Sequence, residues 1–232
     1  MKICTYGAVS EVHKETLTGA AAVVIDVLRM TSVVSAAVHN GVEKVKLIAD
    51  ESEAREEAKR ENALLGGERK GLRLPGFAFG NSPLEYTKEN IEGSTLVMTT
   101  SNGARAVEAA FGARRIILCS LLNVSHVAGM LSEEENVVII CAGTKDRFSL
   151  DDAVCAGALA SRLNAEEADD LTIALKHLYE ANRENLPSLV QEAKHLKYLK
   201  SIGFGADIGY CIREDEFGCA AEIGADGWFY RA

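Results

Sequence analysis

The stretch AAVVIDVLRMTS, residues 21–32, decides the fold that the sequence predicts. Its first five residues are apolar without alternation, which is typical of a strand that is covered on both faces. Two charged residues, Asp26 and Arg29, follow this run, and helical spacing begins near residue 31. A strand, a charged turn and a helix in this order predict one unit of a parallel α/β sheet.

The same alternation continues through the first two thirds of the chain. Strands are predicted at 2–6, 21–26, 42–48, 63–68, 94–100, 114–120 and 136–143. Helices are predicted at 31–40, 51–62, 102–111, 122–132, 150–163, 168–182 and 187–200. The glycine-rich tail from residue 206 is predicted to return one or two strands to the sheet edge. We therefore expect a single domain over residues 1–232, with a three-layer α/β/α fold and a mostly parallel or mixed central sheet.

Composition restricts the partners and the compartment. The formal net charge of -9 produces a field that repels phosphate backbones and anionic membranes, so we expect neither nucleic acid nor a membrane as partner. The six cysteines form no CxxC pair, and neither a signal peptide nor an apolar stretch of ~20 residues is apparent. These features predict a reduced protein in the cytoplasm, and they are compatible with a homodimer.

Polar residues are concentrated at four of the predicted strand ends, where open α/β sheets bind their ligands. The candidates at these ends are Asp26 and Arg29; Glu68 and Arg69; Ser101, Asn102, Gly103 and Arg105; and Arg147, Ser149, Asp151 and Asp152. The strands at 42–48 and 114–120 run instead into ordinary helix starts. The segment 66–87 shows no periodicity and predicts a long loop, either functional or a surface excursion.

The first of these candidates also has a purely structural explanation. Asp26 could cap the helix at 31–40, but it lies early for a cap, and Thr31 or Ser32 would cap that helix more directly. An exposed pair with Arg29 would add only ~0–1 kcal/mol, so stability alone gives little reason for it. We therefore favour a functional role for Asp26.

The turn TTSNGARA, residues 99–106, predicts free N–H groups at a helix N-terminus, where anions bind. Gly103 would let a phosphate approach closely, and Arg105 lies within the first helical turn. A capped helix with a glycine in its turn explains the same residues equally well.

The acidic pair Asp151 and Asp152 follows Ser149, which could cap the helix at 150–163. Beside Arg147, the same pair is compatible with a magnesium or phosphate site. Successive helical residues point about 100° apart, so only one of the two aspartates is expected to face the site. The five histidines show no metal-ligand spacing and are not candidates.

Five separated motifs, taken together, resemble the 2-phosphosulfolactate phosphatase family. They are VVIDVLRMTS, GGER, PGFAFGNSPLEY, TTSNGARA and CAGTKDRFSLDDAVCAG. The resemblance covers residues 1–160 and extends through HLKYLKSIGFGADIGYC at 195–211. It implies a Mg²⁺-dependent acid phosphatase that converts 2-phosphosulfolactate to sulfolactate and phosphate, a step of coenzyme M biosynthesis. The family tends to have glycine where this chain has Asp146.

The resemblance also implies roles for particular residues. The matching positions are Asp26, Arg29, Glu68, Arg69, Ser101, Asn102, Arg105, Arg147 and Asp152, with Asp207 as a further match. We expect Asp26 and Glu68 to bind Mg²⁺, with Asp152 or Asp207 completing the shell. Arg105 would stabilise charge on the phosphoryl group. The residues expected to contact the small anionic substrate are Arg29, Arg69, Ser101, Asn102, Gly103, Arg147 and Ser149.

Two alternatives stay open at this point. The substrate could be another phosphorylated 2-hydroxy acid, or the protein could bind a phosphorylated metabolite without turning it over. For the reaction itself, we favour direct attack by water over an aspartyl phosphate on Asp26. The Asp-x-Asp motif of haloacid-dehalogenase-type phosphatases is absent, since its second position is Leu28.

Overall fold

The computed structural model describes all residues, Met1–Ala232, and contains one eleven-stranded sheet with helices on both faces. The strands are β1 (Lys2–Tyr6), β2 (Ala21–Ile25), β3 (Lys44–Leu47), β4 (Leu64–Arg69), β5 (Leu72–Arg73), β6 (Thr95–Thr99), β7 (Arg115–Cys119), β8 (Asn136–Cys141), β9 (Glu167–Ala168), β10 (Ala221–Ile223) and β11 (Phe229–Arg231). The helices are α1 (Met30–His39), α2 (Glu51–Glu61), α3 (Lys88–Ile91), α4 (Gly103–Ala110), α5 (Val124–Met130), α6 (Leu150–Arg162), α7 (Asp170–Asn182), α8 (Leu186–Val190), α9 (Lys194–Ser201) and α10 (Gly205–Cys211).

The predicted elements are confirmed with one exception. All seven predicted strands are present, and so are the first six predicted helices, each within two residues at either end. The helix predicted at 187–200 is wrong, because the chain forms two helices, α8 and α9, in that stretch. Ala193 between them has extended backbone angles, φ −59° and ψ 135°, and both it and Val190 are buried. Burying these two side chains therefore outweighs continuing the helix.

The sheet consists of two parallel groups of strands joined by an antiparallel hairpin. Its order is β5-β4-β6-β3-β11-β10-β7-β2-β8-β1-β9. We call β4, β6 and β3 the first half-sheet, and β7, β2, β8, β1 and β9 the second half-sheet; each is parallel throughout. β10 and β11 pair with each other and with β7 and β3, in antiparallel fashion.

The tail residues thus lie in the middle of the sheet, and their predicted place at the sheet edge is wrong. Phe229 pairs with Val45 of β3, and Ala221 pairs with Leu118 of β7. Phe229 and Ala221 are almost fully buried, so the hairpin covers two strand edges that would otherwise be open. The tail also contains α10, which was not predicted because Gly205 and Gly209 lower the helix propensity of this segment.

The sheet is strongly curled. Five strand spacings of ~4.8 Å separate β6 from β2, which would be about 24 Å in a flat sheet. Gly103 nevertheless packs against Asp26, although only four residues, with a reach of ~14 Å, separate it from the end of β6. The curl therefore brings the carboxyl ends of the first half-sheet to those of β2 and β8.

Three layers result, which confirms the predicted fold class. α1 and α4 lie inside the curl, in a core that contains Met30, Met98 and Phe229. On the outer face, α5, α6 and α7 pack against the second half-sheet. α2 packs against the first half-sheet through Ala54 and Ala58. No helix combines the length and the apolar composition that a membrane span requires.

Candidate active site

Four buried carboxylates lie at the carboxyl ends of β2, β4 and β8. We call Asp26, Glu68, Asp151 and Asp152 the acidic cluster; each is at most 7% exposed. Asp26 follows β2, Glu68 lies near the end of β4, and the two neighbouring aspartates lie in the first turn of α6. The curl of the sheet thus brings together strand ends that are followed by charged residues in the sequence.

Asp26 occupies an unfavourable electrostatic position in this cluster, and so does Asp152, whose pKa is raised well above its usual value by burial and then by the charge of Asp151. Burial, and then the negative charges of Asp151 and Glu68, raise the pKa of Asp26 to about 7. The N–H of Met30 and the charge of Arg29 act in the opposite direction, and no side-chain donor bonds to this carboxylate. A carboxylate without a side-chain donor in such surroundings favours a proton or a cation from outside the protein.

Glu68 and Asp152 brace the loops that form the site. Glu68 accepts hydrogen bonds from the backbone N–H groups of Gly71, at 2.6 Å, and Ser101, at 2.7 Å. Asp152 accepts from the backbone N–H groups of Val27, at 2.8 Å, and Gly143, at 3.0 Å. Each carboxylate therefore fastens two strand ends together while keeping spare lone pairs on both oxygens.

Asp151 is the residue of the acidic pair whose charge acts most strongly on Asp26, ahead of Glu68. One oxygen of Asp151 accepts a hydrogen bond from Ser149 Oγ at 2.5 Å, and Oδ2 bonds to no protein group. Asp152 is the aspartate that the family resemblance assigns to the metal, yet both of its oxygens accept hydrogen bonds from the backbone. The sequence places both aspartates in one helical turn, but only the packed rotation of α6 decides which carries a free oxygen.

Arg29 and Asp207 pair with each other. Arg29 Nη1 lies 2.7 Å from Asp207 Oδ2, Nη2 donates to the carbonyl of Gly71 at 2.8 Å, and the guanidinium stacks 4.0 Å from the ring centroid of Phe204. Ser82 Oγ donates to the other Asp207 oxygen at 2.8 Å. A fully buried arginine requires a counterion, and Asp207 supplies it. The structure therefore presents neither Arg29 as a free anion clamp nor Asp207 as a free metal ligand.

Arg69 and Ser149 are also engaged within the protein. Arg69 donates to the carbonyls of Glu68, at 2.8 Å, and Ala49, at 2.7 Å, and to Thr99 Oγ1 at 3.0 Å, which ties the ends of β3, β4 and β6 together. The hydroxyl of Ser149 is used by Asp151. Both predicted substrate contacts are therefore hydrogen-bonded to protein groups in this structure.

The turn before α4 has the features of an anion site. Asn102 occupies the N-cap position of the helix, but its side chain makes no cap bond, and Ala104 N donates instead to Thr100 Oγ1 at 3.1 Å, so side-chain capping does not account for Ser101 and Asn102. Both lie at the surface of the turn, and their side chains make no hydrogen bond. Gly103 is required for close packing, because a Cβ there would collide with Asp26 Oδ2 and would lie 2.6 Å from Met30 Cε. The N-terminus of α4 therefore lies directly against Asp26.

Two predicted arginines lie on the exposed rim. Arg105 Nη2 pairs with Asp146 Oδ1 at 2.9 Å, with both side chains 44% exposed. Arg147 ends a tight turn, in which Thr144 N donates to the carbonyl of Arg147 at 2.8 Å. Its exposed guanidinium has no partner, so it is free to meet an anionic ligand.

The structure adds a residue that the sequence did not single out, Asn81. It is only 5% exposed, and its Oδ1 is the single fully buried side-chain polar atom without a hydrogen-bond partner. The carbonyl of Gly80 accepts from Gly67 N at 3.2 Å, and Ser82 bonds to Asp207, so Asn81 lies between the end of β4 and the Arg29–Asp207 pair. The only sequence feature that could have indicated Asn81 is its position within the long loop predicted at 66–87. An orphaned acceptor here fits a donor that comes from outside the protein.

The residues fit a magnesium ion through the chemistry of the donor set. No three His, Cys, Asp or Glu side chains are arranged to enclose a metal ion. Mg²⁺ needs no such cage, because it keeps waters and binds through one or two carboxylates and substrate phosphates. Asp26 and Asp151 supply unpaired carboxylate oxygens, and a cation would relieve their mutual repulsion.

One sizeable groove lies away from this site. It has a volume of about 420 Å³ and is lined by Lys2, Asn136 and Asp169, among others. Lys2 and Asn136 begin β1 and β8, so the groove lies toward the opposite end of these strands from the acidic cluster. It contains none of the candidate residues, and its size alone does not identify an active site.

Comparison with known proteins shows the family of this chain. The model of a family described as 2-phosphosulpholactate phosphatase matches residues 6–224. A protein of Clostridium perfringens (strain SM101) named probable 2-phosphosulfolactate phosphatase is 42% identical over 220 residues, which cover 91% of this chain and 89% of that protein. Proteins with the same name from Caldicellulosiruptor saccharolyticus and Caldanaerobacter subterraneus are 40% and 39% identical, over 96% and 94% of this chain and 97% and 93% of their own lengths. The chain belongs to the 2-phosphosulfolactate phosphatase family of phosphoric monoester hydrolases.

Proposed function

We propose that the protein is a Mg²⁺-dependent phosphatase that hydrolyses 2-phosphosulfolactate to sulfolactate and phosphate, a reaction of the coenzyme M biosynthesis type. The observation that carries the proposal is the position of Asp26. It is a buried carboxylate without a side-chain partner, it lies beside two further carboxylates, and it packs against the N-terminus of α4. A protein that only bound an anion would gain nothing from carboxylates at this point.

Charge is the first problem that such a site must solve. The substrate carries a phosphate, a carboxylate and a sulfonate, whereas the protein has a net charge of -9. Asp26 and Asp151 would hold Mg²⁺, with Glu68 and Asp152 keeping the loops in place behind them. When bound, the ion supplies positive charge next to the phosphoryl group.

The remaining contacts of the substrate come from the turn before α4 and from the rim. The backbone N–H groups of Asn102 and Gly103 and the side chain of Ser101 would bind phosphoryl oxygens at the helix N-terminus. Arg105 would exchange Asp146 for the phosphoryl group, because an exposed ion pair contributes only ~0–1 kcal/mol. Arg147 would bind the carboxylate or the sulfonate.

Water attacks phosphorus directly in this proposal. The position that carries the second aspartate in aspartyl-phosphate enzymes of the Asp-x-Asp type is Leu28, which is buried. Detection by mass spectrometry of a phosphate on Asp26 during turnover would contradict this part of the proposal. Three further statements about the protein stay predictions from the sequence: its location in the cytoplasm, a homodimer, and the absence of nucleic-acid partners.

Phosphate release from 2-phosphosulfolactate tests the proposal. Release should require Mg²⁺, stop with a chelator, and exceed in kcat/KM the release from other phosphorylated 2-hydroxy acids. Asp26→Asn should lower kcat by about 10²-fold or more, since it removes charge at the reacting centre. Asp170→Asn, at an exposed aspartate that begins α7, is the matched control and should change nothing. Tight binding without turnover, unaffected by chelator, would indicate a binding protein instead.

A further inference from the structure

A chain of hydrogen bonds runs from α9 to Asp151. His195 Nδ1 lies 2.9 Å from Thr144 Oγ1, which lies 3.4 Å from Ser149 Oγ, which donates to Asp151 Oδ1 at 2.5 Å. We call His195, Thr144, Ser149 and Asp151 the hydroxyl chain. It connects a half-buried histidine near the start of α9 with a buried carboxylate beside Asp26.

For the hydroxyl chain to be continuous, its donors must all point in one direction. The carboxylate of Asp151 only accepts, so Ser149 must use its one proton to donate to it. Across the longer 3.4 Å contact the chain then continues only when Thr144 donates to Ser149, which leaves Thr144 an acceptor for His195. His195 must therefore carry a proton on Nδ1, which selects one tautomer of its neutral ring.

We propose that His195 is a positioning residue for Asp151, acting through Thr144 and Ser149, and that it thereby sets the affinity for Mg²⁺. This inference rests on the proposed function. By orienting two hydroxyls, His195 fixes the carboxylate of Asp151 through Oδ1 and leaves Oδ2 free for the ion. Without this restraint, repulsion from Asp26 and Asp152 would rotate the carboxylate away. Groups that orient metal ligands in this way commonly change metal affinity or activity by ~10–100-fold when they are removed.

Two substitutions of similar polarity separate positioning from packing. In His195→Asn, the amide nitrogen takes the place of Nδ1 and can still donate to Thr144. In His195→Gln, the donor takes the place of Nε2, further from the backbone, and misses Thr144. We expect Mg²⁺ binding, measured by calorimetry on the metal-free protein, to weaken about 10-fold in His195→Gln and His195→Ala, and to change less than about 3-fold in His195→Asn.

The hydroxyls provide a second, independent series. Thr144→Val should weaken Mg²⁺ binding as His195→Ala does, whereas Thr144→Ser should not. The double variant that combines His195→Ala with Thr144→Val should bind Mg²⁺ no more weakly than either single variant. His177→Ala, at an exposed histidine of α7, is the control. The tautomer is read directly by nitrogen-15 NMR of the imidazole, which should show a proton on Nδ1 that is lost from this position in Thr144→Val.

Each result supports or overturns the proposal. Equal Mg²⁺ affinities for His195→Asn and His195→Gln, or a neutral ring with its proton on Nε2, would overturn it. If the unaltered protein binds Mg²⁺ and releases phosphate but the His195 variants match it, the positioning role fails while the proposed function stands. If the unaltered protein neither binds Mg²⁺ nor releases phosphate, both fail. Should His195→Ala not fold, the pair His195→Asn and His195→Gln still decides.

Discussion

Asp26 shows how a single residue of this protein opposes the stability of the fold. Its surroundings raise its pKa to about 7, so the folded protein disfavours the charged carboxylate. The same residue is the natural partner of a cation at the edge of the sheet. Such a conflict between stability and local charge is expected at a functional site and is hard to explain elsewhere.

The raised pKa of Asp26 predicts how the stability of the metal-free protein depends on pH. The unfolded chain has an ordinary pKa near 3.8, and the folded protein one of about 7. The stability linked to the protonated group is therefore complete below the unfolded pKa and is lost as the pH rises through 7. Urea midpoints of the metal-free protein should be lower at about pH 8.5 than at about pH 5.5, and Mg²⁺ should stabilise more at the higher pH.

Asp26→Asn is the control for this pH dependence. The substitution removes the titrating group, so the difference between the two midpoints should shrink and the metal-free protein should become more stable at the higher pH. An unchanged difference would show that other groups determine the pH dependence of stability.

Asn81 gives a prediction in which stability and activity separate. Its buried amide oxygen has no protein partner, so Asn81→Leu should cost little stability or even add some. If the oxygen meets water or substrate in the site, the same substitution should lower kcat/KM by about 10-fold or more, measured by phosphate release.

Asn123 is the matched control for Asn81. It is equally buried, but it accepts from Ser120 N at 2.9 Å and donates to the carbonyl of Cys219 at 3.2 Å. Asn123→Leu should cost about 1–3 kcal/mol of unfolding free energy and leave kcat/KM unchanged. The reverse pattern, with Asn81→Leu unstable and fully active, would give Asn81 a structural role.

At the scale of the elements, the approach of α4 to α1 depends on one glycine. Gly103→Ala would place a methyl group against Asp26 and Met30, so α4 must shift. We expect a loss of about 1–3 kcal/mol of unfolding free energy together with a fall in kcat, measured by urea unfolding and phosphate release.

Gly129 provides the comparison for the glycine in α4. It lies exposed in α5, and an added Cβ would meet nothing within 4 Å. Gly129→Ala should therefore raise stability by about 0.5–1 kcal/mol and leave activity unchanged. An active and stable Gly103→Ala variant would mean that close packing of α4 against Asp26 is not needed.

At the scale of the whole molecule, the C-terminal hairpin holds the two half-sheets together. Phe229 is fully buried at the junction with β3, so Phe229→Ala should cost about 3–5 kcal/mol of unfolding free energy. It should also lower activity, because the junction sets the curl that joins Glu68 to Asp26. Urea unfolding and phosphate release measure the two effects.

The control lies two residues further along the same strand. Arg231 is exposed and forms no ion pair, so Arg231→Ala should change stability by less than about 0.5 kcal/mol. If Phe229→Ala destabilises the protein but leaves kcat intact, the curl does not depend on the hairpin core.

The sequence by itself determined the local elements and the residues at the strand ends. Runs such as AAVVI and NVVIIC identify buried strands, because a strand covered on both faces has no polar side. Asp26 and Glu68 follow from the same reasoning, since ligand sites of such sheets lie at the carboxyl ends of the strands.

Only the tertiary structure decided which charges are free. Arg29 and Asp207 are 178 positions apart, and no sequence pattern indicates that they neutralise each other. Asp151 and Asp152 are adjacent, yet the packed rotation of α6 leaves a free oxygen on the first and ties both oxygens of the second to the backbone. The place of the tail in the middle of the sheet depends on two open strand edges that exist only after the half-sheets form. Local sequence patterns follow short-range backbone preferences, whereas pairing and burial depend on contacts between distant segments, and those contacts decide which carboxylates remain free to act.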